Sequence, residues 1–432
     1  MTTLVTSFHG RGAGSLLFRR LEVGLLVVVT AVVAAYALTA GHAPLALGIV
    51  LLPLVVWEST RLTAALVALG ASLPAVWNLA GGTTSANVAL SDLLLVFIGG
   101  SLLLRAVAAG TAPALEALRP VALPVIQYGV FMLLLLLVHP DGRELLQTGQ
   151  RAELFVLPLI VGAFAALTNR YVQVLKVYVL ATTVLAAVWP VDHLSFQKNP
   201  VGQFIANAIL VLIAFPRLRG LFPCLVVLVP GLFLTASRGA VAATMIGLVV
   251  VVLLHESRGR VVVTRVIPVL VAAGAVFVLV PAAVSQRLTT TSAGTLQTTA
   301  QYSIHIHDQF LHDASAIIAA HRWSGIGVGN YLAGDPYLGT QTSDPHEVVL
   351  LQAAEGGYGF AASFVLLFVA TSFILYRMRR VDIAPAAAAV LLATVAHGLV
   401  DVYWVRGTPV LGWLLVGMVC GVAWRNPRGV ES

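Results

Sequence analysis

The segment Asp344-Pro345-His346-Glu347-Val348 ends a long polar stretch, and Glu355-Gly356-Gly357-Tyr358-Gly359 leads from it into an apolar run between Phe360 and Tyr376. An imidazole at that boundary lies at a membrane surface, beside a loop large enough to hold a substrate. Its unperturbed pKa of about 6.5 suits proton transfer near neutral pH. The competing reading is an interfacial histidine with no chemistry of its own. A second residue of interest is Arg238, in Leu234-Thr235-Ala236-Ser237-Arg238-Gly239-Ala240, between two apolar runs with almost no loop between them. An arginine at membrane depth costs roughly 2.5–3.5 kcal/mol on insertion scales, so it usually has an anionic partner or lines a cavity. Its planar fork matches phosphate oxygens bidentately, which makes a diphosphate the natural ligand. A snorkelling interfacial anchor is the alternative.

Other polar groups fall near the same boundaries. Arg287 and Arg322 bracket the long polar stretch, and each is either extra charge for one cavity or an ordinary solvated residue. On a helix His305, Asp308 and His312 would share a face and could ligate a metal, but no HExxH or comparable spacing is present, and no metal is expected. Gly325-Ile326-Gly327-Val328-Gly329-Asn330 lacks the lysine and the strand–helix context of a nucleotide loop and reads as a structural turn. Lys198-Asn199-Pro200, with Gln203 and Asn207, puts polar groups at one end of an apolar run, and His397 and Asp401 (i, i+4) do the same in another. Ionisable groups within membrane segments are functional candidates; helix–helix hydrogen bonds are the bland alternative.

The elements that position these residues follow from composition. The 432 residues are 59% hydrophobic and 10% charged, against about 25% charge in soluble domains. The apolar runs are helix-length, longer than the roughly 9–11 residues of a barrel strand. The expected fold is therefore an all-α polytopic membrane protein. Runs near 21–40, 44–57, 62–79, 88–104, 121–138, 153–168, 172–189, 201–215, 220–235, 239–254, 265–284, 346–375, 384–401 and 408–424 suggest about 12–14 transmembrane helices. The first run has the basic flank of an anchor with a cytoplasmic N-terminus, and is long for a signal peptide. With that orientation, arginines 105, 119, 170, 217, 219, 258, 260, 265, 377, 379, 380 and 425 all fall at cytoplasmic ends. This accounts for the net charge of +7 by the positive-inside rule, without nucleic acid. Both termini are then cytoplasmic. The division is an N-terminal bundle over 1–284, an extracytoplasmic loop over 285–345 with helical periodicity from Ile304 to Ala320, and C-terminal helices over 346–432. No duplicated segment supports an inverted-repeat transporter. Cys224 and Cys420 lie in apolar runs, where no disulfide is expected.

In order and spacing these pieces resemble the O-antigen ligase and O-antigen polymerase superfamily, integral-membrane glycosyltransferases that use polyprenyl-diphosphate-linked glycans. The resemblance rests on Asn199-Pro200, Thr235 to Ala240, the external loop with Gly325 to Tyr331, Pro345-His346, and Glu355 to Gly359. It covers roughly the C-terminal half. It implies a GT-C-like fold in a bacterial plasma membrane with an extracytoplasmic active site. The implied reaction is a ligase-type, metal-independent, inverting transfer of a glycan from the carrier to an acceptor hydroxyl on a glycan, lipid or protein, with no cofactor. His346 would take or orient the acceptor proton, with Glu347 or Asp344 setting its tautomer. Arg238 would stabilise the departing diphosphate together with Arg287 and His307, with Arg322, Lys198 and Asn199 as further binding residues. Two departures stand out. Glu347 occupies a position where the family usually has asparagine, and His307 lies where it commonly has an arginine. A polymerase joining carrier-linked repeat units uses the same chemistry, and a solute transporter is the alternative of another class.

Overall fold

In a bilayer every backbone N–H and C=O must find its partner within the protein, so a chain this apolar folds as helices. The computed structural model describes residues 76–78, 87–89, 113–140, 142–189, 198–255, 257–279, 299–333, 345–401, 403 and 408–426. Arg287 and Asp344 lie outside the described residues, as do most of the first four expected crossings. Within the third and fourth, Val76–Asn78 (β1) pairs antiparallel with Asn87–Ala89 (β2). The facing ends of these two runs thus form a short ladder. Everything else of regular structure among the described residues is helical.

A short helix, α1 (Pro113–Ala117), precedes α2 (Arg119–Val138), α3 (Gly142–Leu167), α4 (Tyr171–Val188) and α5 (Lys198–Ala214). A 3-10 segment, Pro216–Cys224, runs into α6 (Leu225–Leu234), followed by α7 (Arg238–Leu254). Next come α8 (Arg258–Val261), a π-helical turn (Val262–Val266), α9 (Ile267–Leu279) and the loop helix α10 (Thr299–Ala320). The C-terminal helices are α11 (Val348–Arg377), α12 (Ala384–Gly398) and α13 (Val410–Arg425). The periodicity read between Ile304 and Ala320 is therefore a real helix.

Five helices among the described residues are long and apolar enough to cross a membrane: Arg119–Val138, Gln147–Leu167, Tyr171–Val188, Pro216–Leu234 and Val348–Arg377. Helix α2 leaves Leu123, Ile126, Leu133 and Leu137 exposed, the surface of a helix that faces lipid. By contrast, α5 is buried at every position from Pro200 to Ala214, and α13 at all positions from Val410 to Gly421. With α7 and α12 these are 15–17 residues long, short of the roughly 20 needed to span hydrocarbon. Being enclosed, α5 and α13 pack against protein instead of lipid.

Lipid tails are as apolar as leucine, so helix association depends on close packing through small residues. Helix α13 carries Gly417 and Gly421 four apart. A Cβ on Gly417 would overlap the Leu159 carbonyl of α3, and one on Gly162 of α3 would overlap the Leu414 carbonyl of α13. The two backbones interlock through glycine on both sides.

The bundle has two dissimilar ends. At one, arginines close helix C-termini: Arg425 donates to Ala166 O (2.8 Å) and Arg265 to Ile213 O (2.7 Å). Arg217 pairs with Asp382 at 2.7 Å. Exposed carbonyls carry the negative end of the helix dipole, which suits a guanidinium. Arginines 170, 219, 258, 260, 377, 379 and 380 flank helix ends on this same side. At the other end lie α10, the N-termini of α3, α5, α7 and α11, and the C-terminus of α12.

The interlocked glycines define a stability test. Replacing Gly417 by alanine should push α13 off α3 and cost about 1–3 kcal/mol, as overpacking does. The expected readout is a lower melting temperature of the detergent-solubilised protein, while alanine at the uncrowded Gly129 of α2 should leave it unchanged.

Candidate functional site

The polar end of the bundle is organised around His346. Its backbone is left-handed, with φ of 55°. The next residue, Glu347, is the N-cap of α11, its carboxylate accepting from Val349 N (3.1 Å) and Leu350 N (2.5 Å). An N-cap satisfies N–H groups that the first helical turn leaves unbonded. Burial raises the Glu347 carboxyl above the usual carboxylate range, and the two N–H groups pull it partly back. Glu347 thus serves its own helix. The carboxylate against the imidazole is Asp401, with Oδ1 3.3 Å from His346 Nδ1.

That contact places Nδ1 toward Asp401. One face of the imidazole stacks on Phe310 of α10, with centroids 5.2 Å apart and planes at 15°. The side chain keeps 30% exposure, so a substrate hydroxyl can reach it. His307 lies one turn before Phe310 on the same helix. Asp401, 9% exposed, has its second oxygen 3.6 Å from Nε2 of His397. A Cβ on Gly239 would stand 2.6 Å from His397 Cδ2 and 2.9 Å from its Nε2, so the start of α7 lies directly on that ring.

These contacts bring Arg238 into the cluster. It is exposed at the first position of α7, behind Ser237, whose Oγ caps the helix by accepting from Ala240 N (3.3 Å). The preceding turn needs left-handed backbone at Ala236, with φ of 50°. Helix α5 abuts this turn: a Cβ on Gly202 would meet Ser237 and Ala240 at 2.9 Å. Lys198 and Asn199, in the first turn of α5, therefore lie on the same end of the bundle. The first turns of α5 and α7, which carry Lys198, Asn199 and Arg238, and the start of α11 with His346 thus lie at one end of the bundle.

Arg322 belongs to a different contact. Its Nε donates to Ala319 O (3.2 Å), and its own carbonyl accepts from Tyr358 N (2.9 Å). That bond lies at a break in α11, where Gly357 adopts φ 73° and ψ −178°. The first arm of α11, Val348 to Gly356, is about 13 Å long and separates Arg322 from His346 along the helix. Tyr128 of α2 touches both arms, stacking on Phe360 (5.2 Å) and donating to Gln352 Oε1 (2.7 Å).

The glycine-rich turn is fitted to this break. Gly325, Gly327 and Gly329 all have positive φ, and a Cβ on Gly325 would overlap the Glu355 backbone. Ile326 N donates to Ala354 O (3.0 Å) and Gly327 N to Glu355 O (2.8 Å). Val328 N donates to Glu144 Oε1 (3.2 Å) and Gly329 N to Glu355 Oε1 (2.8 Å). Four successive N–H groups, the kind that can cradle a phosphate, are all spent on protein oxygens. Arg151 of α3 completes the junction through Arg151 Nη2 to Glu355 Oε1 at 2.9 Å, with both side chains buried.

Spacing in the sequence did not pair Asp401 with His346, or Arg151 with Glu355. The one available signal was the i, i+4 relation of His397 and Asp401 at the end of an apolar run.

Fold and site together define an all-α polytopic membrane protein with an imidazole–carboxylate pair at one end of its bundle. Residues 223–360 match the family model described as O-antigen ligase. That match agrees with the resemblance to the O-antigen ligase and polymerase superfamily carried by the chain's motifs. The family implies a glycosyltransferase-like ligase or polymerase activity. The match runs from the end of the 3-10 segment to Phe360, and so takes in Arg238, α10, the glycine turn and His346, while α12 lies beyond it. Comparison with curated proteins gives no match.

Removing one partner of a buried ion pair strands the other, at a cost of about 3–5 kcal/mol. Arg151→Leu should therefore lower the melting temperature sharply. Arg151→Leu combined with Glu355→Gln should recover much of the loss, as judged by thermal unfolding in detergent.

Proposed function

We propose that this protein transfers a glycan from a polyprenyl diphosphate carrier to an acceptor hydroxyl, as a ligase, at the polar end of the bundle. The observation that carries the reading is the Asp401–His346 pair, held at 3.3 Å with the imidazole still accessible. A carboxylate on Nδ1 holds the N–H there and makes Nε2 the basic nitrogen of the ring.

The acceptor oxygen attacks the anomeric carbon as its proton passes to His346 Nε2. The bond from that carbon to the diphosphate oxygen breaks on the opposite face, and its electron pair leaves with the diphosphate. Configuration inverts in such a direct displacement. Arg238 faces the departing charge, with Lys198 and Asn199 in the neighbouring first turn of α5. Arg287, His307 and Arg322 are the further candidates along the loop, with Asp344 beside His346. Fixed cations stabilise developing charge without reorganising, and we assign them the work a divalent metal does elsewhere. The carrier tail enters laterally between helices. Concentration of arginines at the opposite end supports an extracytoplasmic site with cytoplasmic termini. We retain the division into a bundle over 1–284, a loop over 285–345 and C-terminal helices over 346–432.

The test is a glycolipid profile of cells lacking the gene, with carrier-linked and acceptor-linked glycans separated by length. Long chains stranded on the carrier beside bare acceptor are the expected result. Accumulated single repeat units would replace the ligase by a polymerase, and an unchanged profile would overturn both. Complementation with His346→Ala or Arg238→Ala should restore membrane insertion but leave transfer about 100–1000-fold down, the scale of losing one oxyanion-stabilising group. Near-normal transfer by either variant removes that residue from the mechanism.

A further inference from the structure

Asp401 presents its two oxygens to two different imidazoles. Oδ1 lies 3.3 Å from His346 Nδ1 and Oδ2 lies 3.6 Å from His397 Nε2. The second histidine is 3% exposed, and its Nε2 makes no hydrogen bond among the described residues. A buried N–H with no acceptor costs about 1–3 kcal/mol. The titratable group that faces this nitrogen is Asp401, and a closure of a few tenths of an ångström brings it within hydrogen-bond reach.

Two further features hold α12 and the ring of His397 in place. One turn earlier on α12, Thr394 donates to Val390 O (2.8 Å) and accepts from Gln203 Nε2 (3.2 Å), which ties α12 to α5. The Cδ2–Nε2 edge of the ring fills the space where Gly239 lacks a Cβ, with 2.6 Å from that position to Cδ2 and 2.9 Å to Nε2. Gly239 follows Arg238 directly. One imidazole therefore touches both the carboxylate that orients His346 and the backbone that carries Arg238.

We infer that His397 is a positioning residue for the proposed transfer, donating from Nε2 to Asp401 and setting the spacing between the His346 base and the Arg238 cation. The inference rests on the reading of His346 as the base. His397 itself neither takes nor gives a proton in the step. Its N–H fixes the Asp401 carboxylate, which fixes the Nδ1–H tautomer of His346, and its ring holds the first turn of α7 at a set distance. Helix α12 lies outside the segment matched to the O-antigen ligase family, so this role is drawn from the geometry of the chain.

The experiment uses purified full-length protein in lipid nanodiscs, with donor glycolipid extracted from the deletion strain. His397→Leu should lower kcat on the order of 10- to 100-fold with KM for the donor unchanged, the pattern of a lost transition-state arrangement. His397→Gln, whose amide nitrogen reaches the place of Nε2, should recover most of that loss. Gly239→Ala, whose methyl displaces the ring at its Cδ2–Nε2 edge, should reproduce the kcat defect in a protein that keeps its own histidine. A wild-type kcat in His397→Leu or in Gly239→Ala overturns the inference, as does a glutamine variant no better than leucine. His346→Ala separates the two levels. If it is inactive while His397→Leu is unaffected, only the positioning role fails. If it is fully active, the base assignment fails and the positioning role falls with it.

Discussion

The structure depends on how a break in one membrane helix is repaired. At Gly357 the ladder of α11 stops, and the break frees the carbonyls of Ala354 and Glu355 and the N–H of Tyr358. An unbonded backbone group at membrane depth costs several kcal/mol. The segment after α10 supplies all three partners, through Ile326 N, Gly327 N and Arg322 O. The positive-φ glycines between 325 and 329 allow the chain to lie this close, and Gly325 has no room for a side chain at all. Glu355, buried by the same junction, then needs a cation, and Arg151 of α3 meets it. A loop that looks like an insertion in sequence is thus a structural partner of the bundle.

This repair has a consequence for the polar end. Because the loop is pinned at the break, α10 is held beside the first arm of α11, and Phe310 lies flat on His346. The imidazole is confined between a ring on one side and Asp401 on another. Such confinement is what a base needs, since its usefulness depends on tautomer and aim as well as on pKa. The left-handed backbone at His346 fits the same picture: a mildly strained residue persists where its surroundings over-determine it.

Much of this was legible in the sequence because it is written in local pattern. Apolar runs gave most of the helices seen, and Ile304 to Ala320 read as a helix because its period is local. His346 and Arg238 stood out because charge at a membrane boundary is costly wherever the chain goes. The contacts that organise the site were not legible, since each joins distant segments. Asp401 is 55 positions from His346, and Glu355 is 204 from Arg151. Glu347 illustrates the difficulty. Adjacent in sequence, it looked like the partner of the imidazole, yet the unbonded N–H groups of α11 are nearer and claim its carboxylate. The runs at 201–215 and 408–424 are helices as their apolar pattern implies, but their enclosure by protein could not be read from it.

The spent backbone of the glycine turn also bears on how an anion could be held. Glycine-rich turns often bind phosphate through successive N–H groups, but here Ile326, Gly327, Val328 and Gly329 all donate to protein oxygens. Binding a diphosphate there would require breaking the bonds that repair α11, at the full cost of exposing those groups. Under the proposed reaction, recognition of a diphosphate would fall to charged side chains, since an anion leaving water must exchange strong hydration for stronger contacts. Arg238 is exposed at the start of α7, where the helix dipole adds to its charge. Its neighbour Gly239 is pressed against the ring beside Asp401, so Arg238 and the carboxylate beside His346 share one piece of packing.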